Sequence, residues 1–222
     1  MNVILIGAQG SGKGTQATRL GDLLRLQPCA SGELLRKAIA AGTPLGRRAQ
    51  PYYDNGDLVP DEIIIGMVLE SIDQRGDAHG IILDGFPRTI AQARALDDSL
   101  TRHGTGIDRV ISLEVPREML LDRLTGRYLC RAAEHVWNIK TNPPRVPGIC
   151  DFDGSELYQR NDDTGEKIQR RLDIFFTETV RLTDYYAAQG KLLRVDGTGG
   201  IDAVTRAIMD GITSAQSTRA IG

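Results

Sequence analysis

Several functional classes are excluded by what this sequence lacks. Its 27 basic and 29 acidic residues nearly cancel, leaving a formal net charge of −2, so it has no electrostatic footprint for nucleic acid or an anionic membrane. No apolar run approaches the ~20 residues that a membrane span requires. The three cysteines, Cys29, Cys130 and Cys150, are an odd number and make no disulfide framework. No signal-like leader precedes the first apolar segment, and the cytoplasm is the expected compartment. Internal repeats, low-complexity tracts and Ser/His or Cys/His arrangements for nucleophilic catalysis are missing as well. No segment carries excess surface apolarity, so a monomer is expected.

What is present is a chain of 222 residues, 41% of them apolar, enough for one sizeable core or one core with insertions. It is organised around residues 2–16. Val3, Ile4, Leu5 and Ile6 predict a buried parallel strand. Gly7-Ala-Gln-Gly-Ser-Gly-Lys13-Gly14-Thr15 follows, then helical spacing at Ala17, Leu20 and Leu24. A strand, a glycine-rich turn and a helix N-terminus form an anion site. Backbone N–H groups close round phosphate oxygens, the helix dipole adds partial positive charge, and Lys13 supplies a point charge. The spacing is Gly-x4-Gly-Lys, but Gly14 stands where the general pattern has Ser or Thr. That departure points away from nucleotide switches and towards small-metabolite kinases.

Further strands are predicted at 27–30, 81–84, 110–115 and 191–195, alternating with helices. Ser31 is a candidate N-cap, as is Asp61, while Thr89 and Gln92 have capping-box spacing. Arg123 and Arg127 sit four apart, as if on one helix face. A long helix is predicted over 166–188. Residues 42–60 are broken by glycine and proline and predict a helical excursion. Residues 128–163 have no long apolar period and predict a second insertion. Alternating strands and helices imply an α/β fold, a P-loop doubly wound five-stranded parallel sheet with two inserted mobile subdomains. Ligands in such sheets lie beyond the carboxyl ends of the strands, where Gly7 and Asp84 fall.

Five segments together resemble one family. Gly7-Ala-Gln-Gly-Ser-Gly-Lys-Gly-Thr-Gln16, Ser31-Gly-Glu-Leu-Leu-Arg36, Gly56-Asp-Leu-Val59, Leu83-Asp-Gly-Phe-Pro-Arg-Thr89 and Asn161-Asp-Asp163 are similar to bacterial adenylate kinases of the long, lidded form. The resemblance implies the reaction Mg-ATP + AMP ⇌ 2 ADP. It divides the chain into a core (1–30, 61–126, 164–222), an AMP-binding insertion (31–60) and a lid (127–163). It places ATP phosphates on Gly10, Ser11, Gly12, Lys13, Gly14 and Thr15, with Arg123 and Arg127 on the ATP side and Val136, Trp137 and Gly199 along adenine. AMP contacts fall on Ser31, Arg36, Asp57, Leu58, Val59, Gly85, Phe86, Pro87, Arg88 and Gln92. Arg160 and Arg171 meet phosphates as the lid closes.

The chemistry asks for the same residue types. Phosphoryl transfer concentrates negative charge and is catalysed mainly by positioning and charge stabilisation. Lys13, Arg88, Arg123, Arg160 and Arg171 are the expected catalytic cations, with Asp84 orienting Mg²⁺ through water. Gln92 can read an adenine edge as donor and acceptor at once. Three residues depart from the family pattern. Gln9 replaces a usual proline, Ser31 a commoner threonine, and Trp137 a frequent tyrosine. Trp137 fluorescence is expected to respond to ATP and much less to AMP.

The second insertion also carries Cys130-x4-His135-x14-Cys150-x2-Asp153. Lidded relatives often fold this region on zinc, and two thiolates, an imidazole and a carboxylate make a tetrahedral set. Glu134 is an alternative ligand, and a metal-free lid the alternative state. The rival functions are a UMP or CMP kinase, a P-loop switch and a zinc-ribbon nucleic-acid binder. The long lid, Ser31 and Gln92 argue against the first, Gly14 against the second and the net charge against the third.

Overall fold

Four consecutive apolar residues make strand β1 (Val3–Ile6), each at most 2% exposed. Successive strand side chains point to opposite faces, so Ile4 and Ile6 enter one core while Val3 and Leu5 enter another. Burial of each contributes about 1.5–3 kcal/mol, which fixes this strand as the centre of the sheet. The computed structural model describes residues 1–73, 80–133, 135–160, 163 and 165–219, with only the backbone for 73 and 215–219.

After β1 come α1 (Lys13–Leu24), β2 (Gln27–Ala30), α2 (Ser31–Ala40), α3 (Pro44–Asn55) and α4 (Asp61–Asp73). They are followed by β3 (Ile81–Asp84), α5 (Ile90–Arg102), β4 (Arg109–Glu114) and α6 (Arg117–Thr125). The short strands β5 (Arg127–Cys130), β6 (Val136–Asn138) and β7 (Leu157–Tyr158) precede α7 (Gly165–Ile174). A π-helical turn (Phe175–Thr179) links α7 to α8 (Arg181–Ala187), and β8 (Leu192–Asp196) and α9 (Ile201–Arg219) close the fold.

The main sheet runs β2-β3-β1-β4-β8 with every neighbour parallel, as the sequence predicts. One face is covered by α4, α5 and α8 through Ile64, Val68, Leu96, Leu182 and Tyr186. The other is covered by α1 and α9 through Ala17, Leu20, Val204, Ile208 and Ile212. Leu5 lies opposite Asp84, and Asp84 opposite Ala30. The glycine-rich turn, Asp84 and the start of α2 therefore share the carboxyl edge.

Two excursions leave that edge. Helices α2 and α3 pack so closely that a Cβ on Gly46 would lie 2.1 Å from the Ala38 carbonyl oxygen. They share a small core of Leu35, Ala49, Val59, Ile63 and Met67. The second excursion is an antiparallel sheet in the order β6-β5-β7, around Cys130, Trp137, Cys150 and Leu157.

Local rules misplace five features. Ser31 is the first residue of α2 rather than its cap, because its Oγ donates to the Gly85 carbonyl at 2.7 Å. Asp61 does not cap α4; its carboxylate accepts from Thr89 and Gln92. Thr89 caps α5 through the Gln92 N–H, but Gln92 returns its bond to the Arg88 N–H, one residue early. Arg127 is not on a face shared with Arg123, because α6 ends at Thr125 and Arg127 begins β5. The helix predicted over 166–188 is interrupted by the π-helical turn.

Candidate active site

Gly10 and Gly12 hold the loop after β1 in left-handed conformations, φ +81° and +96°, which glycine adopts without steric cost. Gly7 leaves no room for a side chain, since a Cβ there would stand 2.6 Å from Ser11 Oγ. The Ser11 hydroxyl is buried and has no protein partner among the described residues. Lys13 folds back to donate to the Ala8 carbonyl at 3.0 Å. Gly14 leaves Asp84 unobstructed, with Oδ2 3.6 Å from where a Cβ would be.

The Lys13 pKa is pushed down to about 8. Desolvation is the chief cause; Asp84 opposes it, and the cations of Arg88, Arg127 and Arg171 add to it. Cationic side chains from the turn after β3, β5 and α7 thus all act on the Lys13 charge.

Two of them are tethered by one carboxylate. Asp163, its side chain 1% exposed, accepts from Arg127 Nε at 2.8 Å and Nη2 at 2.6 Å, with Arg171 Nη1 at 3.6 Å. Arg123 donates to the carbonyls of Gly10, Gly197 and Thr198 at 3.1–3.3 Å. It ties α6 to the glycine-rich loop and to the turn that carries Gly199. Partial burial lowers its pKa, yet a guanidinium stays charged.

A concavity opens beside Lys13. Ser31, Arg36, Asp57, Leu58, Val59, Gly85, Pro87, Arg88, Gln92, Arg160 and Arg171 line it. Gly85 has φ +76°, and its carbonyl accepts both from Ser31 Oγ and from Arg88 Nε, the latter at 2.9 Å. The Phe86–Pro87 peptide is cis. Phe86 itself is 1% exposed within the main core, so its side chain packs there rather than against a ligand. Asp57 pairs with Arg170 of α7.

Gly10, Ser11, Gly12, Gly14, Thr15, Arg123, Arg127, Val136, Trp137 and Gly199 lie outside this concavity. Val136 is 51% exposed, whereas Trp137 is 5% exposed. Strand alternation turns the Trp137 ring into the core of the small sheet, 5.5 Å from the Phe152 ring. Asn161, Asp162 and the alternative ligand Glu134 lie outside the described residues.

In the same small sheet, the ligand atoms of Cys130, His135, Cys150 and Asp153 all lie within 4.8 Å of one another. His135 Nδ1 is 3.3 Å from Cys130 Sγ, 3.4 Å from Cys150 Sγ and 3.2 Å from Asp153 Oδ2. A tetrahedral zinc site with ordinary bond lengths has edges of about 3.3–3.8 Å, which the three distances from His135 approach. Backbone N–H groups of Ala133 and His135 also point at Cys130 Sγ, at 3.4 and 3.2 Å, which suits a thiolate. The Asp153 carboxyl is held well below its usual range by the backbone N–H and the hydroxyl of Ser155.

Sequence patterns give no role to Gln9, Tyr53, Ile174, Phe175 and Thr179, which also line the concavity. The last three have the spacing of an ordinary apolar helix face, so no local signal separates them. Asp61 and Asp163 are singled out in the sequence, but their partners Thr89 and Gln92, and Arg127 and Arg171, are not signalled by any local pattern.

Comparison with known proteins matches this geometry. The family model for adenylate kinase matches residues 5–191. An adenylate kinase of Carboxydothermus hydrogenoformans is 46% identical over 212 residues, covering 96% of this chain and 99% of the relative. One from Moorella thermoacetica is 47% identical, covering 94% and 96%. One from Staphylococcus aureus is 43% identical, covering 95% and 98%. With the glycine-rich loop, the converging cations and the parallel sheet in place, the chain belongs to the adenylate kinase family.

Proposed function

We propose that the chain moves the terminal phosphoryl group of ATP directly and in line onto the phosphate of AMP, with the residue roles that follow. The observation that carries them is that Lys13, Arg36, Arg88, Arg160 and Arg171 line one concavity, with Asp84 near enough to act on the Lys13 charge. Such a centre is electrostatically unfavourable until phosphate fills it. The attacking AMP oxygen is already anionic, so no general base is required.

ATP phosphates are bound by the backbone donors of residues 10–15, with Ser11, Lys13 and Thr15, while Arg123 braces the loop. Gly199, in the turn braced by Arg123, and the exposed Val136 lie along the ATP base. AMP occupies the concavity: Arg36, Arg88, Arg160 and Arg171 face its phosphate, and Ser31, Leu58, Val59, Gly85 and Gln92 its base. Asp84 would hold Mg²⁺ through water, and the ion supplies charge neutralisation on the phosphate chain when bound. Planar guanidinium forks suit the equatorial phosphate oxygens and fix their direction.

Residues 31–60 and 127–163 serve as an AMP-binding flap and a lid on the remaining core, supported by the separate small cores of the two excursions. Cys130, His135, Cys150 and Asp153 hold a structural zinc ion, supported by the tetrahedral spacing above. The enzyme works as a cytoplasmic monomer, a reading supported by the buried, unbridged cysteines and by the scatter of exposed apolar residues outside the lid. No described helix is long and apolar enough to cross a membrane.

Turnover with ATP across AMP, CMP, UMP and GMP tests the proposal. AMP is expected to be preferred, and Lys13→Met is expected to abolish ADP formation in a folded chain. Undiminished activity of Lys13→Met, or a pyrimidine preference, would overturn it.

A further inference from the structure

Gln92 is 2% exposed, and the protein already engages both ends of its amide. Nε2 donates to Asp61 Oδ1 at 2.6 Å, and Oε1 accepts from the Arg88 backbone N–H at 2.7 Å. A carboxylate only accepts and a backbone N–H only donates, so these partners decide which end of the amide is which. Asp61 is itself held in place, because Thr89 Oγ1 donates to its Oδ2 at 2.8 Å. Thr89 Oγ1 in turn accepts the Gln92 backbone N–H at 3.1 Å. Residue 92 thereby has its side chain and main chain fastened to the same small network.

An amide offers two N–H donors and two acceptor lone pairs. One of each is used at the outer ends. One N–H and one lone pair remain for a ligand, on a residue that lines the concavity. A half-turn of the amide would aim its oxygen at the Asp61 carboxylate and its N–H at the Arg88 N–H. Both contacts would be repulsive at hydrogen-bond distance, so the order of donor and acceptor offered to a ligand is locked.

We propose that Asp61 sets base selection for the acceptor nucleotide, as a positioning residue that fixes the polarity of Gln92. This rests on the reading that Gln92 faces the acceptor base. A 6-aminopurine presents an exocyclic N–H beside an unprotonated ring nitrogen and pairs with the locked amide at both positions. A 6-oxopurine presents a carbonyl beside a protonated ring nitrogen and meets it with both polarities reversed. Buried polar groups left unpaired in this way give strong rejection. Only inversion of Gln92 would relieve it; the Arg88 N–H and Asp61 both oppose inversion, and of the two only the Asp61 contact belongs to a side chain that substitution can change.

The test uses Asp61→Asn in the full chain, a replacement of the same shape whose side-chain N–H can face an inverted Gln92. kcat/KM is measured for AMP and IMP with ATP as donor, together with KM for ATP and the melting temperature. The AMP-to-IMP ratio should fall about tenfold or more while KM for ATP holds; a purely structural role would lower the melting temperature and spare the ratio. Asp61→Ala, which removes the acceptor and supplies no donor, should lower the ratio less and in the same direction. An unchanged ratio in both variants overturns the proposal. Gln92→Leu separates the two levels. If it too leaves the ratio unchanged, Gln92 does not read the base; if it collapses the ratio while both Asp61 variants retain it, only the lock is refuted.

Discussion

In the ligand-free cleft, Lys13 is held near the midpoint of its titration at pH 8, whereas an exposed lysine would be fully charged there. Its pKa lies at about 8 against 10.5 for the unperturbed group, mainly through desolvation. A nucleotide phosphate placed against Nζ returns the pKa towards or above the unperturbed value. Binding of ATP at pH 8 should therefore draw about half a proton from the buffer, and close to none at pH 6.5. By the same arithmetic, affinity should fall roughly 30-fold between pH 7 and pH 9.5, because the empty site must first recover its proton. The sign for folding is opposite. Between pH 8 and 10.5 the unfolded chain binds the proton that the ligand-free fold has released, so rising pH favours the ligand-free fold in that window. The assay is titration calorimetry with ATP at pH 8 in Tris and in HEPES, whose ionisation enthalpies differ. The slope of observed enthalpy against buffer enthalpy reports the proton count. Lys13→Met should bring that slope to zero and flatten the affinity profile. Wild-type protein with no proton uptake at pH 8, or with equal affinity at pH 7 and pH 9.5, would refute the reasoning.

Two further expectations follow from clusters away from the reacting centre. Protein prepared without chelator should contain about one zinc per chain; stripping it should lower the melting temperature and change the emission of Trp137, which shares a core with Cys130 and Cys150. Metal-free protein with unaltered melting and emission would contradict this. Replacing Asp163 by alanine removes the buried carboxylate that Arg127 grips with two hydrogen bonds and should cost about 3 kcal/mol in the ligand-free protein. Nucleotide phosphates can take over the missing carboxylate, so the rise in melting temperature caused by ATP should be larger in Asp163→Ala than in wild type. An equal rise would disprove that substitution of roles.

The parallel sheet is legible in the sequence because its central strands are continuous apolar runs, and Ile81–Asp84 even announces its functional end by a carboxylate. The phosphate loop is legible because backbone geometry demands fixed glycine spacing. The small antiparallel sheet is not, since its strands are four, three and two residues long and two of the four residues of its core are cysteines. Ser31 and Asp61 carry the signature of helix caps, and that rule cannot see Gly85 or Gln92 arriving from distant chain. Arg127 carries helical spacing to Arg123, although Gly126 was available as a stop signal. Asp163 falls in a segment that carries the family resemblance, but no local pattern gives it a role, because its arginine partners lie far along the chain or in a different element.

The π-helical turn at Phe175–Thr179 has a mechanical consequence. Phe175 packs against two hydrophobic clusters, one holding Leu172 of α7 and the other Leu182 of α8. The wider turn inserts the extra residue that brings each helix face to its own cluster. One residue is about 100° of helix rotation, so deleting a single position there would swing Arg171 off the cleft while leaving every active-site side chain chemically intact. Length in this segment behaves as a gear tooth, and homologous enzymes that differ by one residue here must reset the angle somewhere else along the same helix.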